Sequence, residues 1–310
     1  MRNLIMALAL VFAMIQPASA AVYQQGIVYV VYDETGDKAP KNNADINSNG
    51  VPDVIEDIAT QVNAAREVFN NVFNFPDPLV APRFKNATSI EVDIDSKEVM
   101  KVNGQAFSAS RKNSKHDPNE RALHIRIANS VNPHKNPTMA HEYFHLIQYG
   151  ATYFRNGWFL EGMARWAEDS VRKISKYPDG VDVPVKLNSK AAENKIFEGK
   201  YNVAGELWYP LAVNMKDKAT IPSDIMNKYK YVDGSPVFHD NIIYGPNVMI
   251  KVLQVMKSKE GIAAEQFGGV QKWRKDGQRD SQNNTIMMDC VREVYNSKLT
   301  DKLKDVYHFR

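Results

Sequence analysis

The hydrophobic and polar positions in the first half of the chain change between strand-like and helix-like spacing. Apolar, β-branched runs predict three strands and a weaker fourth, at residues 26–32, 89–95, 122–128 and 101–109. A helix is predicted to begin at Pro52, because apolar residues follow it at helical spacing. These residues are Ile55, Ile58, Val62, Ala65, Phe69 and Val72.

The run at residues 122–128 alternates cleanly between leucine or isoleucine and the polar residues His124 and Arg126. Successive side chains of a strand point to opposite faces, so this pattern predicts a half-buried strand. His124 is then expected at the surface.

The second half of the chain has mainly helical spacing. The clearest predicted helices cover residues 138–150, 158–174, 205–215, 247–257 and 285–297. Without an internal repeat, the pattern indicates an α+β protein. Its first half, residues 21–150, is α/β, and its second half, residues 151–310, is mainly helical.

The N-terminal 20 residues have the features of a secretory signal. Arg2 provides a basic start, residues 4–15 are apolar, and Ala18, Ser19 and Ala20 form a small-residue cleavage site. We therefore expect a mature chain that begins at Ala21 and is exported, to the periplasm or the extracellular space. No later run is apolar and long enough to predict stable membrane insertion.

Composition narrows the function further. The net charge of +3 is spread without a long basic block, which argues against nucleic-acid binding. The one cysteine, Cys290, cannot form a disulfide within the chain, and we expect a buried, inert thiol. The oligomeric state stays open.

Candidate chemistry begins at residues 141–145, which read His-Glu-Tyr-Phe-His. On a helix, His141 and His145 share a face and can bind one metal ion. Glu142 lies beside them, where it can act on a water bound to that metal.

A third ligand is needed, because catalytic zinc takes three protein ligands and leaves one position for water. Glu161 is the candidate, sixteen residues after His145 on the next predicted helix. The alternative of a third histidine shortly after His145 fails, since residues 147–154 contain none.

These two segments resemble the gluzincin group of zinc metallopeptidases. The nearest resemblance is to exported bacterial metallopeptidases with A-H-E-x-F-H-x-I-Q followed by W-F-L-E-G-x-A-x-W-x-E-D, which residues 140–148 and 158–169 match nearly throughout. The resemblance implies a zincin-like fold, catalytic zinc (Zn²⁺) on His141, His145 and Glu161, and hydrolysis of peptides or proteins with Glu142 as general base.

The resemblance also implies supporting residues. Tyr244, before a predicted helix, is the candidate donor to the oxyanion, and His239 is its rival. Spacing makes Glu168 or Asp169 the candidate that orients a histidine ligand. In the gluzincin fold, the strand with His124 and Arg126 would be the sheet edge that pairs with an extended peptide.

Residues 45–56 fit a calcium-loop pattern at every defined position. The predicted ligands of a structural calcium ion (Ca²⁺) are Asp45, Asn47, Asn49, the carbonyl of Val51, Asp53 and Glu56. Two asparagines lower the negative charge, so we expect weak affinity, roughly 10⁻⁴ to 10⁻³ M. The alternative is an Asx-rich turn that caps a helix without metal. Exported metallopeptidases of the resembled kind contain a similar loop.

Two other functions stay open at this point. One is a non-catalytic exported domain that binds zinc and calcium, which does not explain Glu142. The other is a calcium-dependent adhesion module, which leaves the histidine motif unexplained. Endopeptidase and aminopeptidase modes are both possible, and the missing amine-binding motif favours the first.

Overall fold

A mixed six-stranded sheet organises the first half of the chain in this computed structural model, which describes residues 20–172 and 189–297. Its strands are β1 (Ala20–Gln25), β2 (Val28–Asp33), β3 (Ser89–Asp95), β4 (Gly104–Ala106), β5 (Arg111–Lys112) and β6 (Arg121–Ala128). The order is β1-β2-β3-β6-β4, with β5 also paired to β6. Strands β2, β3 and β6 are parallel, and the other three are antiparallel to their partners.

The helices before the gap are α1 (Asp53–Arg66), α2 (Lys97–Met100), α3 (Thr138–Ala151) and α4 (Gly157–Ala167). After it come α5 (Lys190–Glu198), α6 (Tyr209–Asn214), α7 (Ser223–Lys228), α8 (Pro246–Glu265), α9 (Lys275–Gln278) and α10 (Asn283–Asn296). A two-stranded sheet, β7 (Lys218–Thr220) with β8 (Ile242–Tyr244), lies among them. Helices α1 and α3 pack together and against the large sheet, so α3 lies between the sheet and α4.

The predicted α+β class and the mixed sheet are confirmed. The strand at residues 89–95 and the start of the third helix at Thr138 agree with the sequence pattern. The predicted helix to residue 174 is shorter, since α4 ends at Ala167 and one tight turn follows, Glu168–Ser170. The pattern missed β1, β5, β7 and β8. The predicted signal lies outside the described residues except for Ala20, as do residues 298–310.

The predicted role of strand β6 as the sheet edge is wrong, because β6 pairs with β3 on one side and with β4 and β5 on the other. His124 is buried rather than exposed. Its ring lies 3.1 Å from Asp93 and stacks on Phe107, with ring centroids 4.2 Å apart. The segment that contains β4 and β5 covers the polar face of the sheet. The alternation of polar and apolar residues within one strand cannot predict this cover.

This covered face is charged but internally paired. The side chain of Arg111 contacts both Glu91 and Asp93 on β3, and His116 lies 2.8 Å from Glu91. Burial alone would raise the pKa of Asp93, but hydrogen bonds from His124 and Arg111 hold that pKa well below its usual range. The network satisfies buried carboxylates and so belongs to the framework.

Cys290 is buried in α10, and burial raises the pKa of its thiol to about 12. This agrees with the expected inert thiol. In the part of the chain that the structure describes, no helix has both the length and the hydropathy needed to cross a bilayer.

Candidate metal centre

Helix α3 brings the two histidines onto one face. Its apolar residues are fully buried against the sheet and α1, which leaves His141 and His145 on the side toward α4. Their ring centroids are 4.7 Å apart, as expected for residues one helical turn apart.

Gln148 connects α3 to the start of α4. Its amide group, with no exposed surface, donates to the carbonyls of Phe159 and Leu160 at 3.3 and 3.2 Å. Its carbonyl oxygen lies 2.8 Å from Nδ1 of His145. One side chain therefore fixes both a histidine ring and the helix that contains Glu161.

Gly162 allows α4 to approach the segment behind it. A Cβ atom at this position would lie 2.8 Å from Nε1 of Trp208 and 2.9 Å from Cβ of Val203, closer than real contacts allow. At the start of the helix, Asn284 of α10 accepts hydrogen bonds from Asn156 and Trp158. Contacts on both sides thus set where Glu161 lies.

These contacts bring His141, His145 and Glu161 together. Oε2 of Glu161 lies 3.3 Å from Nε2 of His141 and 3.6 Å from Nε2 of His145, and the three ligand atoms are all within 4.8 Å of one another. Zinc bonds of about 2.0–2.1 Å place tetrahedral donors about 3.3–3.4 Å apart. The two carboxylate–imidazole separations are close to this value, so these three donors can share one zinc ion and leave one position open.

The Nδ1 atom of each histidine ligand lies within hydrogen-bond distance of another side chain. Nδ1 of His141 lies 3.0 Å from Oε1 of Glu168, and Nδ1 of His145 contacts Gln148, so both Nε2 atoms face Glu161. Such partners fix the ring orientation and raise ligand basicity. Of the two predicted orienting carboxylates, Glu168 makes this contact, while Asp169 pairs with Arg172 at 3.2 Å.

Charges at the cluster are strongly coupled. Burial alone would lower the pKa of His141, but its contacts with Glu161 and Glu168 outweigh burial and raise that pKa to about 10. Burial alone would raise the pKa of Glu161, but its contacts with His141 and His145 hold that pKa well below its usual range. Burial raises the pKa of Glu142, which makes it a stronger base.

Strand β4 lies directly against Glu142. A Cβ atom on Gly104 would lie 2.5 Å from Oε1 of Glu142, so only glycine allows this approach. Within the described sheet β4 is an outer strand, and its free edge borders the cluster.

A cavity of about 1120 Å³ opens over the cluster. The β4 region forms one wall, and side chains from α3, α4 and α9 form the others. Its volume is slightly above the usual range of small-molecule pockets.

The structure does not bring Tyr244 or His239 to this cavity. The carbonyl of Tyr244 accepts a hydrogen bond from Trp166 at 2.8 Å, and its ring lies near Lys218, while His239 is exposed elsewhere. Tyr201 lines the cavity instead, with its ring centroid 5.8 Å from that of His141. No periodic or motif signal in the sequence marks Tyr201.

The predicted calcium loop closes on itself. The side-chain amides of Asn47 and Asn49 donate to the two oxygens of Glu56 at 2.9 and 3.0 Å. Backbone N–H groups of Asn49 and Gly50 donate to Asp45, and that of Ile46 donates to Asp53. These hydrogen bonds hold the loop in a compact turn, and Val51 follows the turn at Gly50. Calcium binding stays a prediction.

No protein-family model, curated protein or solved structure matches this chain. Within residues 20–172 and 189–297, one group of three or more His, Cys, Asp or Glu side chains is close enough to bind a metal ion together. This group consists of His141, His145 and Glu161.

We predict that Glu161→Ala nearly abolishes zinc binding, because it removes a ligand. Glu168→Ala should weaken zinc affinity roughly 10- to 100-fold, because it only frees the His141 ring. Competition with a chromophoric chelator measures the zinc affinity of both variants. Glu265→Ala, an exposed glutamate on α8, is the control. Parent affinity in Glu161→Ala would contradict the ligand set.

We also predict that calcium stabilises the protein through the loop. At the affinity expected, about 10 mM calcium adds about 1–3 kcal/mol to the free energy of unfolding. Denaturant unfolding of the zinc-loaded protein with and without calcium measures this. Glu56→Gln should remove the increment, and Glu34→Gln, an exposed acid outside the loop, should retain it. No increment in the parent would leave the metal-free Asx turn as the correct interpretation.

Proposed function

We propose that this protein is an exported zinc-dependent metallopeptidase of the gluzincin type. One observation supports this most strongly: three donors within 4.8 Å of one another lie next to the buried carboxylate of Glu142, inside an open cavity. A zinc site with a purely structural role would be closed by a fourth protein ligand. Within the described ranges no fourth His, Cys, Asp or Glu joins the cluster.

His141, His145 and Glu161 would hold the zinc ion. When bound, zinc supplies Lewis-acid polarisation of the scissile carbonyl and a water of lowered pKa. Glu142 accepts the proton of the attacking water at its carboxylate and delivers it to the leaving amine. Its side chain is buried beside Gly104 of β4 and lines the same cavity as the three ligands.

Tyr201 is the proposed donor to the developing oxyanion. Burial and the negative charge of Glu161 raise the pKa of its hydroxyl to about 12. The hydroxyl therefore keeps its proton at neutral pH and can donate it in a hydrogen bond.

The free edge of β4 offers backbone groups to an extended substrate beside Glu142.

We predict that Glu142→Gln lowers kcat by about 10²- to 10⁴-fold on mixed peptides, because the amide keeps the shape but cannot accept the proton. Zinc content should stay at the parent value, since Glu142 is not a ligand. Cleavage at the parent rate by a zinc-loaded Glu142→Gln protein would exclude it as the base. A zinc-loaded parent that cleaves no peptide pool would count against peptidase activity.

Two tyrosine variants test the oxyanion donor. Tyr201→Phe should lower kcat by about 10- to 10³-fold with little change in KM, because the lost hydrogen bond forms in the transition state. Tyr244→Phe removes the same atom from a residue outside the cavity and should retain parent kinetics. The reverse result would restore Tyr244 to the role that the sequence indicated.

A further inference from the structure

Arg155 is an unusual cation in the wall of the cavity. It lies in the loop between α3 and α4, is 5% exposed, and lines the same cavity as the metal cluster. Its Nε atom is buried without a hydrogen-bond partner. Counting only residues 20–172 and 189–297, its guanidinium forms no ion pair or hydrogen bond, and the ring of Tyr149 is its contact.

A buried guanidinium without a carboxylate is costly, because desolvation of a charge is offset only by pairing or hydrogen bonding. Several other buried charges among the described residues are paired. Glu91 and Asp93 contact Arg111, and Glu168 contacts Arg165. Burial and the nearby charges of Arg83 and Arg279 lower the pKa of Arg155 to about 10, so it stays charged at neutral pH.

More positive charge lies at the mouth of the cavity near Arg155. The backbone N–H of Arg155 donates to the carbonyl of Gln278, which places the next residue, Arg279, beside it. Arg279 and Lys275 are both exposed and both line the cavity. Among the described residues neither has an acidic partner, so both are available to attract an anion.

The distance from Arg155 to the metal cluster corresponds to a few residues of peptide. The ring of Tyr149 lies between them: its centroid is 5.9 Å from the ring of His145 and 4.8 Å from the guanidinium carbon of Arg155. An extended chain advances about 3.3–3.6 Å per residue, so roughly three residues or fewer cover this span.

We propose that Arg155, assisted at the rim by Arg279 and Lys275, binds a carboxylate of the substrate within about three residues of the scissile bond. The carboxylate is either an acidic side chain or the free C-terminus of a short peptide. Arginine is suited to this role because its planar fork binds both carboxylate oxygens. This inference rests on the proposed peptidase function and adds a preference for anionic substrates.

Direct binding tests the proposal without requiring catalysis. The full mature chain with Glu142→Gln is loaded with zinc and titrated with two sets of N-acetylated hexapeptide pools. The first set compares glutamate with glutamine at each position in pools that end in an amide. The second compares a free C-terminal carboxylate with an amide in pools without acidic residues. Calorimetry gives the dissociation constants.

In at least one set, we expect the peptides with the carboxylate to bind roughly 10- to 100-fold tighter than their amide counterparts, as for a charge-assisted hydrogen bond. The set that shows the difference identifies the source of the carboxylate. Equal affinities in both sets would overturn the proposal even if the parent cleaves peptides. A carboxylate preference in binding would support the Arg155 subsite even if the parent cleaves none, and the failure would then be that of the peptidase function.

Adding Arg155→Met to the Glu142→Gln protein should remove the preference for carboxylate peptides. Zinc content and binding of the neutral pools should stay unchanged. Arg274→Met, an exposed arginine outside the cavity, should retain it. If the methionine variant does not fold, Arg155→Lys replaces it: lysine keeps the charge but lacks the fork, and the preference should fall several-fold. An unchanged preference in either Arg155 variant would overturn the proposal.

Discussion

The contact between helices α3 and α4 is the constraint on which the candidate site depends. A helix alone can present His141 and His145, but Glu161 reaches them only if the next helix packs at one position and angle. Gln148 sets that position because its buried amide bonds to the first turn of α4 and to the ring of His145. Gly162 allows the opposite face of α4 to pack closely. A loss of either contact would separate the ligands without changing any of them.

The distribution of buried charge separates the framework from the site. On the covered face of the sheet, each acidic group has a basic partner, as Asp93 has in Arg111 and His124. Around the cavity the balance is different. Glu142 is buried next to two histidines, and among the described residues Arg155 is buried without an acidic partner. A protein tolerates such uncompensated groups where a metal, a water or a substrate completes them, which is the physical basis of the function proposed here.

Much of the site could be predicted from sequence because it depends on local spacing. Four-residue spacing placed His141 and His145 on one face, and a following amphipathic helix placed Glu161 within reach. Tyr201 could not be predicted, because it reaches the cavity through a turn before residues 204–208 rather than through a motif. His124 was assigned to the surface because alternation reports one strand, whereas its burial depends on residues 104–120 folding over the sheet. Strand β1 was missed because its partly buried residues pair only with β2.

The central claim is that His141, His145 and Glu161 hold one zinc ion with an open position. X-ray absorption spectroscopy at the zinc edge, on protein reconstituted with one equivalent of zinc, tests it most directly. Our account predicts two nitrogen ligands and two oxygen ligands at about 2.0–2.2 Å, with one oxygen replaced when a thiol inhibitor is added. A spectrum of four protein ligands that does not respond to the thiol would contradict a catalytic centre. Zinc that stays bound in the same geometry after Glu161→Ala would contradict the ligand set.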